Sequence, residues 1–129
     1  MMKNALTGQL LIASPQIDDT RFANSVILIC KHDSHSAMGL IINQKVSNLD
    51  LDSLTSQLDI GTPLFNGDVP IHYGGPVEKS RGIVLHSKDH MIPESMLIGD
   101  VAAMTANIRI ISEIAEGHGP SEFIIALGH

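Results

Sequence analysis

The chain of 129 residues has no tryptophan, one tyrosine and three phenylalanines, 3% aromatic in all. Its core must therefore be aliphatic, built from Ile, Leu, Val, Ala and Met. The same shortage removes the aromatic platforms on which single-stranded nucleic acids stack. There is one cysteine, Cys30, which excludes an internal disulfide framework. Basic residues are also few: eight Lys and Arg against 14 Asp and Glu, for a net charge of −6. They are scattered singly from Lys3 to Arg109. Neutralising phosphates needs a concentrated basic footprint, so direct nucleic-acid binding is disfavoured. No apolar stretch approaches the roughly 18 residues that a membrane helix requires. The first, Leu-Leu-Ile-Ala at 10–13, is too short even for the apolar part of a secretion signal. The expectation is a soluble protein of the reducing cytoplasm with no membrane partner.

What remains suits one folded domain over residues 1–129. The length is usual for a single domain, and 43% of residues are hydrophobic. About two thirds of the unfolded surface can go inside. Residues 8–14 read as a short buried strand ended by Pro15. Residues 25–31, Ser-Val-Ile-Leu-Ile-Cys-Lys, read as a central strand, because Val26, Leu28 and Cys30 make one face apolar and Ile27 and Ile29 the other. The segment 32–37 is a turn, and Met38 to Gln44 return as the second strand of a hairpin. In residues 48–60, Leu51, Leu54 and Leu58 recur at helical spacing, with Asn48 or Asp50 as the cap and Gly61 then Pro63 as the stop. Residues 64–77 are rich in turn signals, and 81–87 and 96–99 read as strands. A second helix is predicted from Asp100 to Gly117, with Val101, Met104, Ile108, Ile111 and Ala115 on one face. Glu122 then leads into a last apolar strand. The predicted order is β-β-β-α-β-β-α-β, an α+β domain on a curved antiparallel or mixed sheet, with two main helices.

Four stretches carry a family resemblance in order and spacing. They are Phe-x-x-Ser-Val-Ile-x-Ile-Cys-x-His from Phe22 to His32, Gly-Leu-Ile-Ile-Asn from Gly39 to Asn43, Tyr-Gly-Gly-Pro-Val from Tyr73 to Val77, and Gly-Pro-Ser-Glu-Phe-Ile-Ile-Ala-Leu-Gly near the end. Together they resemble the YqgE/AlgH family of uncharacterised bacterial proteins. The resemblance implies an α+β fold around a strongly curved, barrel-like sheet. It also attaches the label of transcriptional regulator, with no established reaction. Family members usually continue past the last strand. The resemblance therefore implies a domain cut short at its C-terminus here. The missing basic footprint directs any regulatory role towards an unidentified protein partner rather than DNA.

Cys30 and His32 are the first candidates for chemistry. Two apart on a regular strand, they share a face, about 6.5 Å between Cα atoms. An imidazolium beside the sulfur would favour the thiolate that a nucleophile or redox sensor needs. The bland alternative is a small buried cysteine, with His32 capping the hairpin loop. His35, with His72 or His86, would complete a metal set, but Cys-x-His-x-x-His matches no established zinc spacing, so neither metal nor cofactor is expected. Asn43, Gly74, Gly75, Pro76 and His86 are candidate ligand contacts. A Gly-Gly-Pro bend exposes backbone N–H groups that can cradle an anion, although it is more often a tight turn. His118 follows a helix C-terminus, where the dipole explains it. No hydrolase, zinc-protease, dinucleotide or phosphate-loop motif is present. The leading reading is a non-enzymatic regulatory or interaction protein. The alternative is a thiol-dependent enzyme or sensor using Cys30 and His32. A pocket shared by Cys30, His32 and the 74–76 bend would mark a site, and their dispersal a scaffold.

Overall fold

The apolar run Phe-Ile-Ile-Ala-Leu at 123–127 is buried on both faces, and two cores are built against it. In the computed structural model, which describes residues 6–13, 24–51, 53–54 and 69–129, the described residues form nine strands, that run among them, and one complete helix. In chain order they are β1 (Leu10–Ile12), β2 (Val26–His32), β3 (Ala37–Ile41), β4 (Lys45–Asp50), β5 (Pro70–Tyr73), β6 (Gly82–His86), β7 (Met96–Ile98), β8 (Ala102–Thr105), α1 (Ile108–Ala115) and β9 (Phe123–Leu127). The strands form an antiparallel three-stranded sheet, β1-β2-β3, and a six-stranded sheet, β4-β5-β9-β6-β8-β7. The larger sheet is mixed, because β9 runs parallel to β5 and antiparallel to β6.

Side-chain alternation sorts the two cores. On β9 and β6, Ile125 and Val84 join Ile71, Ile110, Ile111 and Ile114 between the large sheet and α1. Their neighbours Ala126 and Ile83 join Leu28, Cys30, Leu40, Ile98 and Met104 on the other side. The large sheet is thus a middle layer, covered by α1 on one face and by β2 and β3 on the other.

The α+β class, the β2–β3 hairpin and the central position of β2 agree with expectation. The barrel-like form is not found among the described residues, and they do not confirm the second helix. Among the described residues there are two open sheets and one complete helix. Leu51, Ser53 and Leu54 begin the earlier helical segment, and Asp50 Oδ1 accepts from the Ser53 N–H at 2.9 Å as its cap. The rest of that segment, including Leu58, lies outside the described residues. Its predicted beginning is instead β4, paired with β5 across an irregular register. The 64–77 turn region likewise contains β5, held between β4 and β9.

The predicted helix from Asp100 starts late. Residues 102–105 form β8, paired with both β6 and β7. Two ladders outweigh a weak helical preference there, as tertiary context commonly does. The helix begins after Asn107, whose Oδ1 accepts from the Arg109 N–H at 2.8 Å. Its buried residues are Ile110, Ile111, Ile114 and Ala115, while Ile108 is exposed. Gly117, at φ +81, ends it as expected. β1 also differs from its reading as a buried strand. It is an edge strand with Leu10, Leu11 and Ile12 exposed.

Removing the Asn107 cap in Asn107→Ala will cost about 1 kcal/mol, seen as a lower urea midpoint with an unchanged m-value. The Glu113 carboxyl is held below its ordinary 4.5 first by the His90 ring, 2.7 Å away, and then by Arg109 at 3.3 Å. A depressed folded pKa adds stability that is fully present above 4.5 and lost as pH falls through the folded value. Glu113→Gln will therefore flatten the acid limb of a thermal-midpoint profile, and an unaltered limb would contradict the assignment.

Candidate functional site

The hairpin strand β2 carries a bulge at Cys30. Ile29 pairs with Gly39 and Lys31 with Met38, so Cys30 is one residue more than β3 can match. Its side chain enters the core between the sheets at 2% exposure. Burial pushes the thiol up to about 11. The Sγ points to the Leu28 carbonyl at 3.6 Å. The His32 ring faces elsewhere, with Nδ1 accepting from the Leu6 N–H at 3.2 Å. The bulge breaks the simple alternation that would align Cys30 with His32, and the two side chains have different partners.

His86 is buried at 2% exposure, and both ring nitrogens are engaged. Nδ1 lies 2.9 Å from the Ser87 carbonyl, which can only accept, so Nδ1 carries the proton in the neutral ring. Nε2 then accepts from the Thr105 hydroxyl at 2.7 Å, and Thr105 accepts from Ser95 at 2.7 Å. Ser95 Oγ in turn receives the Ile92 N–H at 2.9 Å. This one-directional chain ties β6 and β8 to the 92–95 turn. Asn43 makes a second clamp. Its Oδ1 accepts from the Val26 N–H and its Nδ2 donates to the Asn24 carbonyl, both at 2.9 Å. The clamp holds Asn24, whose φ is +59, at the entrance to β2.

The Gly74-Gly75-Pro76 bend packs on the end of the chain. A Cβ on Gly74 would strike the Gly128 carbonyl, and one on Gly75, where φ is +152, the His129 backbone. The Gly74 N–H donates to Leu127 at 2.9 Å, and Val77 and His129 exchange backbone bonds at 2.9 and 3.0 Å. Beside this bend lies a groove of about 450 Å³. Ile27, Ile29, Met38 and Ile41 form its apolar floor, residues 74–77 form its wall, and among the described residues His129 is the one titratable side chain that lines it. Cys30, His32, Asn43 and His86 are not among its lining residues.

Of the candidates, then, only Gly74, Gly75 and Pro76 share a cavity. Among the described residues, no group of three or more His, Cys, Asp or Glu side chains is placed to hold a metal. His72 lies across from Lys45, with a buried Nδ1 that has no partner among the described residues. Desolvation lowers its pKa, and Lys45 acts in the same direction. Sequence reasoning missed the groove itself. Its available signal was the Ile27 and Ile29 face of a strand already read as apolar on both sides.

Comparison with known proteins bears on the identity of the chain. A family model described as AlgH-like matches residues 10–129. The chain belongs to the AlgH-like family. A UPF0301 protein of Methylobacterium nodulans is 45% identical over 132 residues, which cover 96% of this chain and 63% of that protein. A UPF0301 protein of Cereibacter sphaeroides is 43% identical over 125 residues, covering 96% and 68%. The solution structure of the AlgH protein from Pseudomonas aeruginosa superposes with a TM-score of 0.79 at 33% identity, over 96% of this chain and 66% of that one. Protein DIP2367 from Corynebacterium diphtheriae shares the fold alone, with a TM-score of 0.68 at 19% identity. The chain thus spans about two thirds of the length of these relatives.

Cys30 will resist iodoacetamide at about pH 8 in the folded protein and react once urea unfolds it, since the thiolate is the reactive form. Full alkylation under native conditions would show that the sulfur is reachable.

Proposed function

We propose that this AlgH-like domain is a cytoplasmic regulatory or interaction module that works through a protein partner and does not itself read nucleic acid. The observation that carries the reading is the apolar groove between the β2–β3 hairpin and residues 74–77. A concave apolar surface with few polar groups is the usual form of a recognition site. Val77 in its wall is 53% exposed, and Ala37 at its rim is exposed as well, so the groove opens to solvent. The partner segment that fits is apolar and uncharged, because the described side chains of the lining are apolar apart from His129 and include no Asp, Glu, Lys or Arg to pair with a charge.

The surroundings favour the same reading. The net charge of −6 opposes polyanions. No helix among the described residues is long and apolar enough to cross a membrane. The thiol alternative asks for an accessible, acidic sulfur, whereas burial moves Cys30 the other way.

A photo-crosslinking residue placed at Ala37 in the native host will give one discrete protein adduct. Val77→Asp, which puts a charge on the wall, will reduce it about tenfold, equivalent to about 1.4 kcal/mol. A Lys88→Ala control on a distant loop will leave it unchanged. Adducts that are absent, or insensitive to Val77→Asp, would refute the groove as the partner site.

A further inference from the structure

Among the described residues, the groove also borders a strand edge that no other strand fills. Antiparallel pairing sends alternate backbone groups to opposite sides of a strand. In β3 the parity is set at both ends. The Ile42 N–H donates back to the Val26 carbonyl at 3.0 Å, whereas the Ile41 N–H donates outward to the Gly74 carbonyl at 2.9 Å. At the hairpin turn, the Ser36 carbonyl accepts from the Asp33 N–H at 2.9 Å, on the β2 side. The odd-numbered residues, Ala37 and Gly39, therefore turn their N–H and C=O groups away from β2. Among the described residues β3 pairs with β2 alone, and no hydrogen bond reaches those outward groups.

Residue 74 starts as the neighbour of β3 and then diverges. Residues 75–77 bend away to pair with His129, and the groove opens in the fork. Gly39 lines the groove beside Ile27 and Ile29. A Cβ there would come within 2.7 Å of the Ile27 side chain, so packing on β2 requires glycine. The fork therefore combines an unpaired backbone edge with an apolar floor of Ile27, Ile29 and Ile41.

We infer that the groove binds its partner by strand addition: an extended, uncharged, apolar peptide segment of the partner protein pairs with the outer edge of β3 at Ala37 and Gly39. This rests on the interaction reading above and specifies how it is made. Only an extended backbone offers donors and acceptors at the two-residue interval that the edge presents. The lining matches apolar side chains on alternate positions, and a charged segment would lie unpaired against it. A run of three to five residues, on the order of 10–17 Å long, spans the edge. Unpaired edges attract strands generally, and natural sheets usually guard them with charge or proline. Ala37, Met38 and Gly39 carry neither.

The test uses amide-resolved NMR of the 129-residue protein. The probe is the capped pentapeptide Thr-Val-Thr-Val-Thr, compared with two analogues N-methylated on alternate residues in the two possible frames. In the free protein the Ala37 and Gly39 amides will exchange quickly with solvent. On saturation with the plain peptide their exchange will slow at least tenfold, with shift changes confined to β3 and residues 75–77. The analogue methylated in the pairing frame will bind at least tenfold more weakly. Amides already protected in the free protein would overturn strand addition. So would equal binding of all three peptides, which would leave a groove that reads side chains only. If no peptide binds while the groove-dependent adduct at Ala37 persists, strand addition fails and the interaction reading survives. If the adduct is lost too, both fail. Concentration-dependent shifts at these amides without peptide, with a dimer in sedimentation, would assign the edge to a second copy of the chain and overturn the proposal.

Discussion

The pairing of β9 with both β5 and β6 is the constraint on which the rest of the molecule depends. β9 runs parallel to β5 and antiparallel to β6 at the centre of the large sheet, and it is apolar on both faces. Ile125 fixes the layer that receives α1, and Ala126 fixes the layer that receives β2 and β3. The small side chain of Ala126 matters because Leu28 and Leu40 approach from the other sheet. Moving β9 by one residue would exchange these faces and empty both cores together.

The same strand builds the groove. Its continuation at 128–129 holds residues 74–77 in place. Gly74 bonds to Leu127, Gly128 to Arg81, and Val77 to His129. Gly128, at φ +79, makes the close approach possible: its carbonyl occupies the space where a side chain at 74 would lie, and the His129 backbone that follows occupies the space at 75. Glu78, itself at φ +48, reinforces the corner, where Arg81 and His129 reach the same carboxylate oxygen at 3.0 and 3.1 Å. These contacts hold the carboxyl below its ordinary range, with Arg81 the larger influence. The wall of the groove is therefore an outcome of core topology, set by backbone bonds rather than by the groove's own side chains.

Much of this order was legible in the sequence where one period dominated. The continuous apolar runs at 26–30 and 123–127 belong to covered strands, and the turn at 33–36 joins the hairpin. Residues 101–108 were not legible, because Ala, Met and Ile suit either period and the decision lay with neighbours remote in sequence. β8 exists through its ladders to β6 and β7, and no local signal reports them. Asn107 was the better cap, but Asp100 satisfied the same rule seven residues earlier. β5 was hidden by the turn-forming residues around it, since its strand character comes from lying between β4 and β9. Of the site, the Gly-Gly-Pro bend could be read as a tight turn. That it closes on residues 128 and 129 could not, because the two segments lie some fifty positions apart in the chain.

The bulge links the hairpin's local chemistry to its larger role. In a regular β2, Cys30 and His32 would share a face, and the spacing would suggest a paired thiol and imidazole. The inserted residue uses that alternation differently. Leu28 and Cys30 fill the core between the sheets, while Ile27 and Ile29 floor the groove on the opposite face. Beyond the bulge, His32 meets the Leu6 amide at the border of the sheet. A bulge also increases local twist and bends the strand that carries it. Placed at Cys30, it bends the hairpin opposite Met38, beside the stretch of β3 where residues 75–77 diverge. A small apolar residue suits that position: it must enter a packed layer without a matched partner on β3, and a larger side chain would force the two sheets apart. Cysteine satisfies this requirement through size and burial, with no need for its nucleophilicity.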